Sequence, residues 1–558
     1  MKKLNQIFLG ILLVAVVAAG CDPLLDVNSD RLVYPNGHQL NQPNDTIYSM
    51  IGLFSELNKL ADRYVLLGEL RGDLLDLSAD ADANLQEIYN FDISKDNPYN
   101  KVADYYSVIN NCNYIINNID TSVVAHAEKV LMKEYAAVKA IRAWTYMQLA
   151  LNYGKAKYYE KPILNGDQAN QSYPELNIYE LADKLIPDLE AVKNVKQLGG
   201  VSLGEDLTSD KSIFPVKFVL GDLYLWTGQY EQAALEYHDL IVDQSLVLNG
   251  NYQSTWNVDN GVFVSRTSTA TKWPNMFDLS NKNNTELLTL IAGSTEYGDA
   301  AELDSLSRKS EITPSQVAYN NWSSQTYYYS ATVTNDGDLR GSLGSYMPFT
   351  WYNIVYGEGS STGGTFRLEQ TNIISKFVMM STSTSKAIVV YRKGLLYLRY
   401  AEAVNRTGKP NLAFAVLKNG MSPETMAVDT IVPRSEKYRE YTDSTGTFYD
   451  YTNFQDFTFR NNIGVHERGC GDAHLAKDYV IPNENSLDDS MNYVEDKIVE
   501  ELALETAFEG NRFHDLMRVA LRRSDPSYLA DKVAEKYTNN QGAIRTKLTD
   551  ENNWYLKQ

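Results

Sequence analysis

Residues 217–241 read KFVLGDLYLWTGQYEQAALEYHDLI, and Gly221, Tyr224, Gly228, Ala233 and Tyr237 fall at the steps of a tetratricopeptide helix hairpin. In such a hairpin small residues stand where two antiparallel helices touch, and large ones fill the adjacent hole. A second copy lies 180 residues further on, at 395–420, as LLYLRYAEAVNRTGKPNLAFAVLKNG. There Ala401, Val404, Gly408, Ala413 and Leu417 occupy the same steps, and the turns TGQY and TGKP match in kind. A lone hairpin of this type cannot bury its apolar face, so further helix pairs are expected.

The flanking sequence supplies the candidates. At 101–119, KVADYYSVINNCNYIINNI places Val102, Tyr105, Tyr106, Ile109, Cys112, Ile115, Ile116 and Ile119 at three- and four-residue steps. A long Ala- and Leu-rich helix is expected to end near Gly154. A third helix is predicted from about Ile178 to Val192, with a kink at Pro187. Near the C-terminus the apolar positions Val494, Ile498 and Leu502 predict a helix from about Tyr493 to Glu509, broken at Gly510 and resumed in RFHDLMRVALRR.

Between the two hairpins the pattern changes. Residues 246–385 are rich in Asn, Ser, Thr, Gly and aromatics, with one short β-like run, ELLTLIAG at 286–293, and a loop-like GEGSSTGGT at 357–365. A loop-rich insertion of this length is rarely filler, and it is the first place to seek a ligand site. The expected fold is therefore mostly α, a scaffold of tetratricopeptide-type hairpins carrying a loop-rich, partly β variable lobe. Its parts are a helical region at 46–245, the variable lobe at 246–385 and a C-terminal helical region at 386–558.

The first 45 residues read as an address. Lys2 and Lys3 precede an uncharged run, strongly apolar from Ile7, that ends in Ala18, Ala19 and Gly20 before Cys21. The run is short for a spanning helix and has the layout of a secretory signal peptide over 1–20. A small-small-Cys ending resembles a lipobox, although Ala18 stands where Leu is usual, and it makes Cys21 the expected lipidation site. Each buried CH₂ of an acyl chain contributes about 0.8 kcal/mol, so two or three chains hold a protein on a bilayer. Residues 22–45 read as an extended leader with turn residues Pro23, Pro35, Asn36, Gly37 and Pro43.

Composition narrows the partners. The formal charge is −20, or −22 once Lys2 and Lys3 leave with the signal, which argues against nucleic acid. With Cys21 lipidated, Cys112 and Cys470 remain, an even pair that permits one disulfide or two separate buried thiols. Tyrosine dominates the aromatics, 39 beside 17 Phe and 7 Trp, and its apolar ring with a polar tip suits both helix packing and wet binding faces.

The stretch IVEELALETAFEGNRFHDLMRVA at 498–520 carries Glu501, Ala503, Glu505, Ala507, Phe508, Glu509, Gly510, Arg512, Asp515, Leu516 and Arg518. It resembles the C-terminal signature of the SusD/RagB nutrient-uptake lipoproteins. Three further segments resemble the same family: Ala140, Arg142, Ala143, Tyr146, Leu149, Tyr153 and Gly154; Leu398, Arg399, Ala401, Glu402, Asn405, Arg406 and Gly408; and INNCN at 109–113. The resemblance implies a tetratricopeptide fold and a lipid-anchored place on the exterior of a Gram-negative outer membrane. It also implies a partner, a SusC/RagA-type TonB-dependent barrel, with oligosaccharide as the ligand in most members and oligopeptide in some. It is weakest over 246–385.

In the insertion the candidate ligand contacts are Trp256, Trp273, Trp322, Tyr327, Tyr328, Tyr329, Tyr346, Trp351 and Tyr352. Aromatic faces bury the C–H face of a sugar ring, and the same platforms hold peptide side chains. In a strand the middle tyrosine of 327–329 points away from its neighbours. Arg71, Asp73, Asn97 and Tyr99 are further candidates in the N-terminal part. Glu509, Arg512, Asp515 and Arg518 look catalytic at first sight, yet their spacing favours structural pairing on neighbouring helix turns. HERGCGDAH, at 466–474, has metal-ligand residue types without a usual zinc spacing. No nucleotide, hydrolase or metalloprotease motif appears, so a non-enzymatic binder without cofactor or metal is expected. A surface glycosidase and a pure adaptor are the rival readings.

Overall fold

In the computed structural model residues 40–558 are described, apart from 42, 80, 201–207, 256, 260–261, 266–271, 282–283, 297–300, 331–332, 356–364, 438–439, 443–447, 472, 484–485 and 558. The signal, Cys21 and most of the leader lie outside the described residues, as do Trp256 and most of the 357–365 loop. Pro43 is no turn residue. It opens the first helix, where its missing N–H costs no hydrogen bond.

In chain order the elements used below are helices α1 (Pro43–Asn58) and α2 (Ala61–Glu69), strand β1 (Leu75–Leu77), then α3 (Ala83–Tyr89), α4 (Val102–Asn118), α5 (Met132–Tyr153) and α6 (Ile178–Glu190). The first hairpin is α7 (Val216–Trp226) and α8 (Tyr230–Asp243). The insertion holds β2 (Leu287–Ser294), α9 (Leu303–Arg308), β3 (Ile312–Pro314), α10 (Gln316–Ser323), β4 (Tyr346–Val355), β5 (Thr365–Ile374) and the start of β6 (Ser385–Arg392). The second hairpin is α11 (Lys393–Arg406) and α12 (Pro410–Lys418), and α13 (Leu487–Glu505), α14 (Arg512–Arg523), α15 (Pro526–Ala534) and α16 (Gln541–Leu548) follow.

Both expected hairpins form, and α8 packs on α11, so two copies far apart in sequence stand side by side. The helices predicted near 100–120, 130–153 and 178–192 extend the same stack, through α4 on α5, α5 on α6, and α6 on α7. Gly221 is required by contact: a Cβ there would lie 2.5 Å from the Tyr237 ring. Tyr237 is fully buried, and its hydroxyl donates to Asp222 at 2.7 Å. The helix α6 runs through Pro187 and ends three residues later at Glu190, so the proline removes a donor only in the last turn.

The C-terminal helix is displaced from its expected bounds. It begins at Leu487, where the Ser486 side chain accepts from the Asp489 N–H, and ends at Glu505. Its first turn is polar, which hides it from apolar periodicity. The break after it is built by α2. The buried Glu69 carboxylate accepts the N–H groups of Phe508, Gly510 and Arg512, and Phe508 takes φ 69°. Gly68 lets the two chains meet, since a Cβ there would lie 1.9 Å from the Gly510 carbonyl oxygen.

The strand predicted at 286–293 is β2, and it pairs antiparallel with β6, which leads directly into α11. Ile291, Ile312, Trp322 and Ile374 of the insertion join the same apolar core as the helices. A second core of Trp273, Met276, Phe277, Leu287 and Leu290 lies beside it. Cys112 and Cys470 are free and buried, Cys112 in the helical core and Cys470 against Tyr327 and Ala473, so the permitted disulfide does not form. No described helix is long and apolar enough to cross a membrane.

Candidate functional site

The segment from Arg71 to Leu77 turns out of α2 into β1, which pairs antiparallel with β3 in the register Asp76 to Thr313. Ser315 then caps α10: its side chain accepts from the Ala318 N–H and donates to the Asp73 carbonyl. This fixes α10 beside β1, and the hairpin of β4 and β5 brings Tyr346 and Asn372 to the same place. Tyr319 and Tyr346 meet edge to face with ring centroids 4.9 Å apart at 80°. The Asn372 amide donates to the Tyr319 hydroxyl oxygen at 3.0 Å. Burial raises the Tyr319 pKa above its usual value, the Asn372 bond lowers it in part, and Tyr346 and Asp76 add to the rise.

Tyr319, Tyr346, Asn372 and Asp76 are each half-buried. Nearby, Phe349 of β4 is also half-buried, with the exposed Arg308 guanidinium 5.8 Å from its ring centroid. The result is an aromatic face with a carboxylate and an amide beside it, while Phe349 and Arg308 lie on the opposite side of the hairpin, since side chains alternate along β4. Such a face buries the C–H side of a sugar ring or an apolar peptide side chain, while its rim serves hydroxyl and amide groups. An acidic margin adjoins it. Asp62 accepts the Glu302 N–H at 2.9 and 3.0 Å, and burial pushes its carboxyl up to about 6. Tyr99, another expected contact, lies half-buried near Asp62, Asp82, Glu311 and Glu302; burial and those charges push its hydroxyl up to about 12.

The structure gives other expected contacts a different role. Trp273 is fully buried, with the Arg468, Arg392 and Lys376 cations 4.9, 5.7 and 5.9 Å from its ring. Trp322 is buried behind Tyr346, and its N–H donates to Leu504 O at 3.1 Å. Tyr327 is buried and donates to Asp338 at 2.8 Å. Asp73 takes Arg512 at 2.6 and 2.7 Å, and Asn97 is buried on Asn84 O and Glu87. None of these five offers a surface to a ligand: all are buried, and Trp322, Tyr327, Asp73 and Asn97 are also held by their own hydrogen bonds. Arg71 is buried as well, on the wall of a cleft described below. Tyr328 is half-buried in a strand paired to His474, while the side chains of Tyr329, Trp351 and Tyr352 lie outside the described residues.

The charged signature is structural. Glu505 accepts from Arg340, Arg392 and Arg468 at 2.8, 2.7 and 2.6 Å, all of them buried. Glu509 pairs with Lys376 and Arg392, and Arg518 with Glu402 and Asp515. In HERGCGDAH, His466 pairs with Glu501 at 2.7 Å and stacks on Tyr479, and Gly471 makes a tight turn at φ 61°. Tyr319, Asn372 and Asp76 were missed by sequence reasoning. The visible signal was the helix QVAYNNWS, in which Tyr319 lies one turn before Trp322 on the same side.

Neither a family model nor a curated protein matches the chain. Solved structures do. A SusD-like protein from Bacteroides fragilis NCTC 9343 aligns with TM-score 0.55 at 14% identity, covering 87% of each chain. A SusD-like carbohydrate binding protein from the same strain aligns with TM-score 0.54 at 15% identity, covering 88% of each chain. A putative sugar binding protein from Bacteroides vulgatus ATCC 8482 aligns with TM-score 0.53 at 16% identity, covering 87% of this chain and 88% of the other. The chain therefore has the SusD-like fold, a helical-hairpin scaffold carrying a loop-rich, partly β insertion.

Proposed function

We propose that this protein is a cell-surface binder of oligosaccharides, anchored in the outer membrane by lipid on Cys21. It hands its ligand to a SusC/RagA-type TonB-dependent barrel and catalyses no reaction. The observation that carries this reading is the half-buried Tyr319–Tyr346 ring pair, bordered by Asn372 and Asp76, on a fold whose neighbours include a SusD-like carbohydrate binding protein. The hydroxyl proton of Tyr319 and the carboxylate of Asp76 supply a donor and an acceptor beside an apolar surface, the combination a sugar ring needs.

Calorimetric titration of the purified protein with panels of neutral oligosaccharides and oligopeptides tests it. Oligosaccharides should bind, and Tyr319→Ala and Tyr346→Ala should each weaken binding by about tenfold, the loss of one aromatic contact. Binding of peptides alone would replace the ligand class, and binding unchanged in both variants would remove the site. Products released from labelled glycans would show an enzyme, and failure of the tagged protein to co-purify with a barrel would remove the delivery step.

A further inference from the structure

Arg71 is 1% exposed, yet among the described residues no carboxylate lies within ion-pair distance of it. In this it differs from Arg340, Arg392, Arg468, Arg512 and Arg518, each of which is paired with acid. Its Nε donates to Leu67 O at 2.7 Å and its Nη1 to Trp554 O at 2.8 Å. Its Nη2 donates to Asn152 Oδ1 at 2.5 Å and reaches His514 Nε2 at 3.4 Å. Every one of these partners is neutral. Burial, then the Arg71, Arg518 and Arg399 charges, hold the His514 pKa well below its usual value. A guanidinium has five N–H groups, so one on Nη1 is left. A buried charge answered only by neutral dipoles and by the Phe513 ring, 4.3 Å from the guanidinium, is costly, and a ligand anion reduces that cost.

Arg71 forms part of the wall of a cleft of about 190 Å³, together with Phe91, Ile93, Lys547 and Lys557. Asp92 also lines it, and Lys547 already pairs with that carboxylate. Among the described residues the cleft thus holds three cations against one acid, in a chain of net charge −20. It shares Asp92 and Lys547 with an open groove lined by Gln86, Asn90 and Asn540, whose amides suit a polar ligand body.

We propose that this cleft is a carboxylate-binding site. A ligand carboxylate accepts from the remaining Arg71 N–H and lies near Lys557, while the adjoining groove carries the rest of the ligand. The site is separate from the Tyr319–Tyr346 face, and neutral oligosaccharides read that face independently, so either reading can fail alone.

The experiment titrates the purified protein by saturation-transfer NMR and calorimetry with matched pairs. Methyl glucuronide is compared with methyl glucoside, and N-acetylalanine with N-acetylalaninamide. The acid of at least one pair should bind about tenfold or more tightly than its neutral partner, the scale of one charge-assisted hydrogen bond, and added salt should weaken it. Preference within the sugar pair identifies a uronate as the ligand end, and within the second pair a peptide C-terminus. Arg71→Gln should abolish the preference. Should that variant fail to fold, Ile93→Trp fills the half-buried mouth without touching Arg71's hydrogen bonds and should abolish it too. Equal binding within both pairs, or a preference that survives Ile93→Trp, overturns the proposal.

Discussion

Glu505→Gln tests whether the charged C-terminal signature is a structural hub. Glu505 is fully buried, and its two oxygens accept from three guanidiniums, of Arg340, Arg392 and Arg468. All three come from outside the C-terminal helices, Arg340 from the insertion, Arg392 from β6 and Arg468 from the turn at 466–469, so the carboxylate ties the insertion to α13. Burial pushes the carboxyl up, and the Arg468, Arg392 and Arg340 charges overrule it and hold it down at about 2. Breaking a buried ion pair by removing one partner costs about 3–5 kcal/mol. The shift from 4.5 to about 2 gives a similar figure, about 3 kcal/mol at 1.36 kcal/mol per pH unit. With about 2.1 cal/mol/K of unfolding entropy per residue, a chain of this length gains roughly 1.2 kcal/mol/K, so Tm should fall by about 3 °C. Thermal unfolding followed by far-UV circular dichroism measures it, with Glu500→Gln as the control. Glu500 pairs with Lys497 at 2.6 Å on the surface and is 53% exposed in its side chain, so its loss should cost under about 1 kcal/mol. The sign with pH follows from the depressed pKa. The stabilisation is fully present above about 4.5 and is lost as pH falls towards about 2, so wild type and variant should converge in acid. A Glu505→Gln variant no less stable than Glu500→Gln at neutral pH would refute the reasoning.

Other substitutions probe separate parts of the argument. Gly221→Ala puts a methyl 2.5 Å from the buried Tyr237 ring and should cost about 1–3 kcal/mol by overpacking, measured by the denaturant midpoint. Lys536 is buried on the Leu70 and Leu75 carbonyls, and burial lowers its pKa to about 7, the nearby carboxylates Asp76, Asp73 and Glu69 opposing that fall. Between about 7 and 10.5 the unfolded chain binds the extra proton, so stability should rise with pH across that window, and Lys536→Met should flatten the rise in thermal scans. Cys21→Ala should move the protein from the membrane fraction to the soluble one with its Tm unchanged, because a tether adds no core packing; cell fractionation and a thermal scan check both halves.

The helical hairpins were legible because their signal is local. Spacing of small and large residues along two turns encodes the contact of one helix with the next, and Gly221 against Tyr237 is that contact seen directly. The strand at 287–294 was legible for the same reason. The bounds of α13 were not, because its first turn is polar, and its last residue is decided by Glu69, more than 430 residues away in the chain. The candidate site shows the difference most plainly. Aromatic content marked the insertion, but it did not separate Trp273, enclosed by three cations, from Tyr346, half-open beside Tyr319. The sequence by itself determined the hairpin scaffold and the expected address at Cys21, since each depends on neighbours within a few turns. Only the tertiary structure decided which aromatics face outward and which charges pair, because burial and ion pairing are set by elements that meet across hundreds of residues.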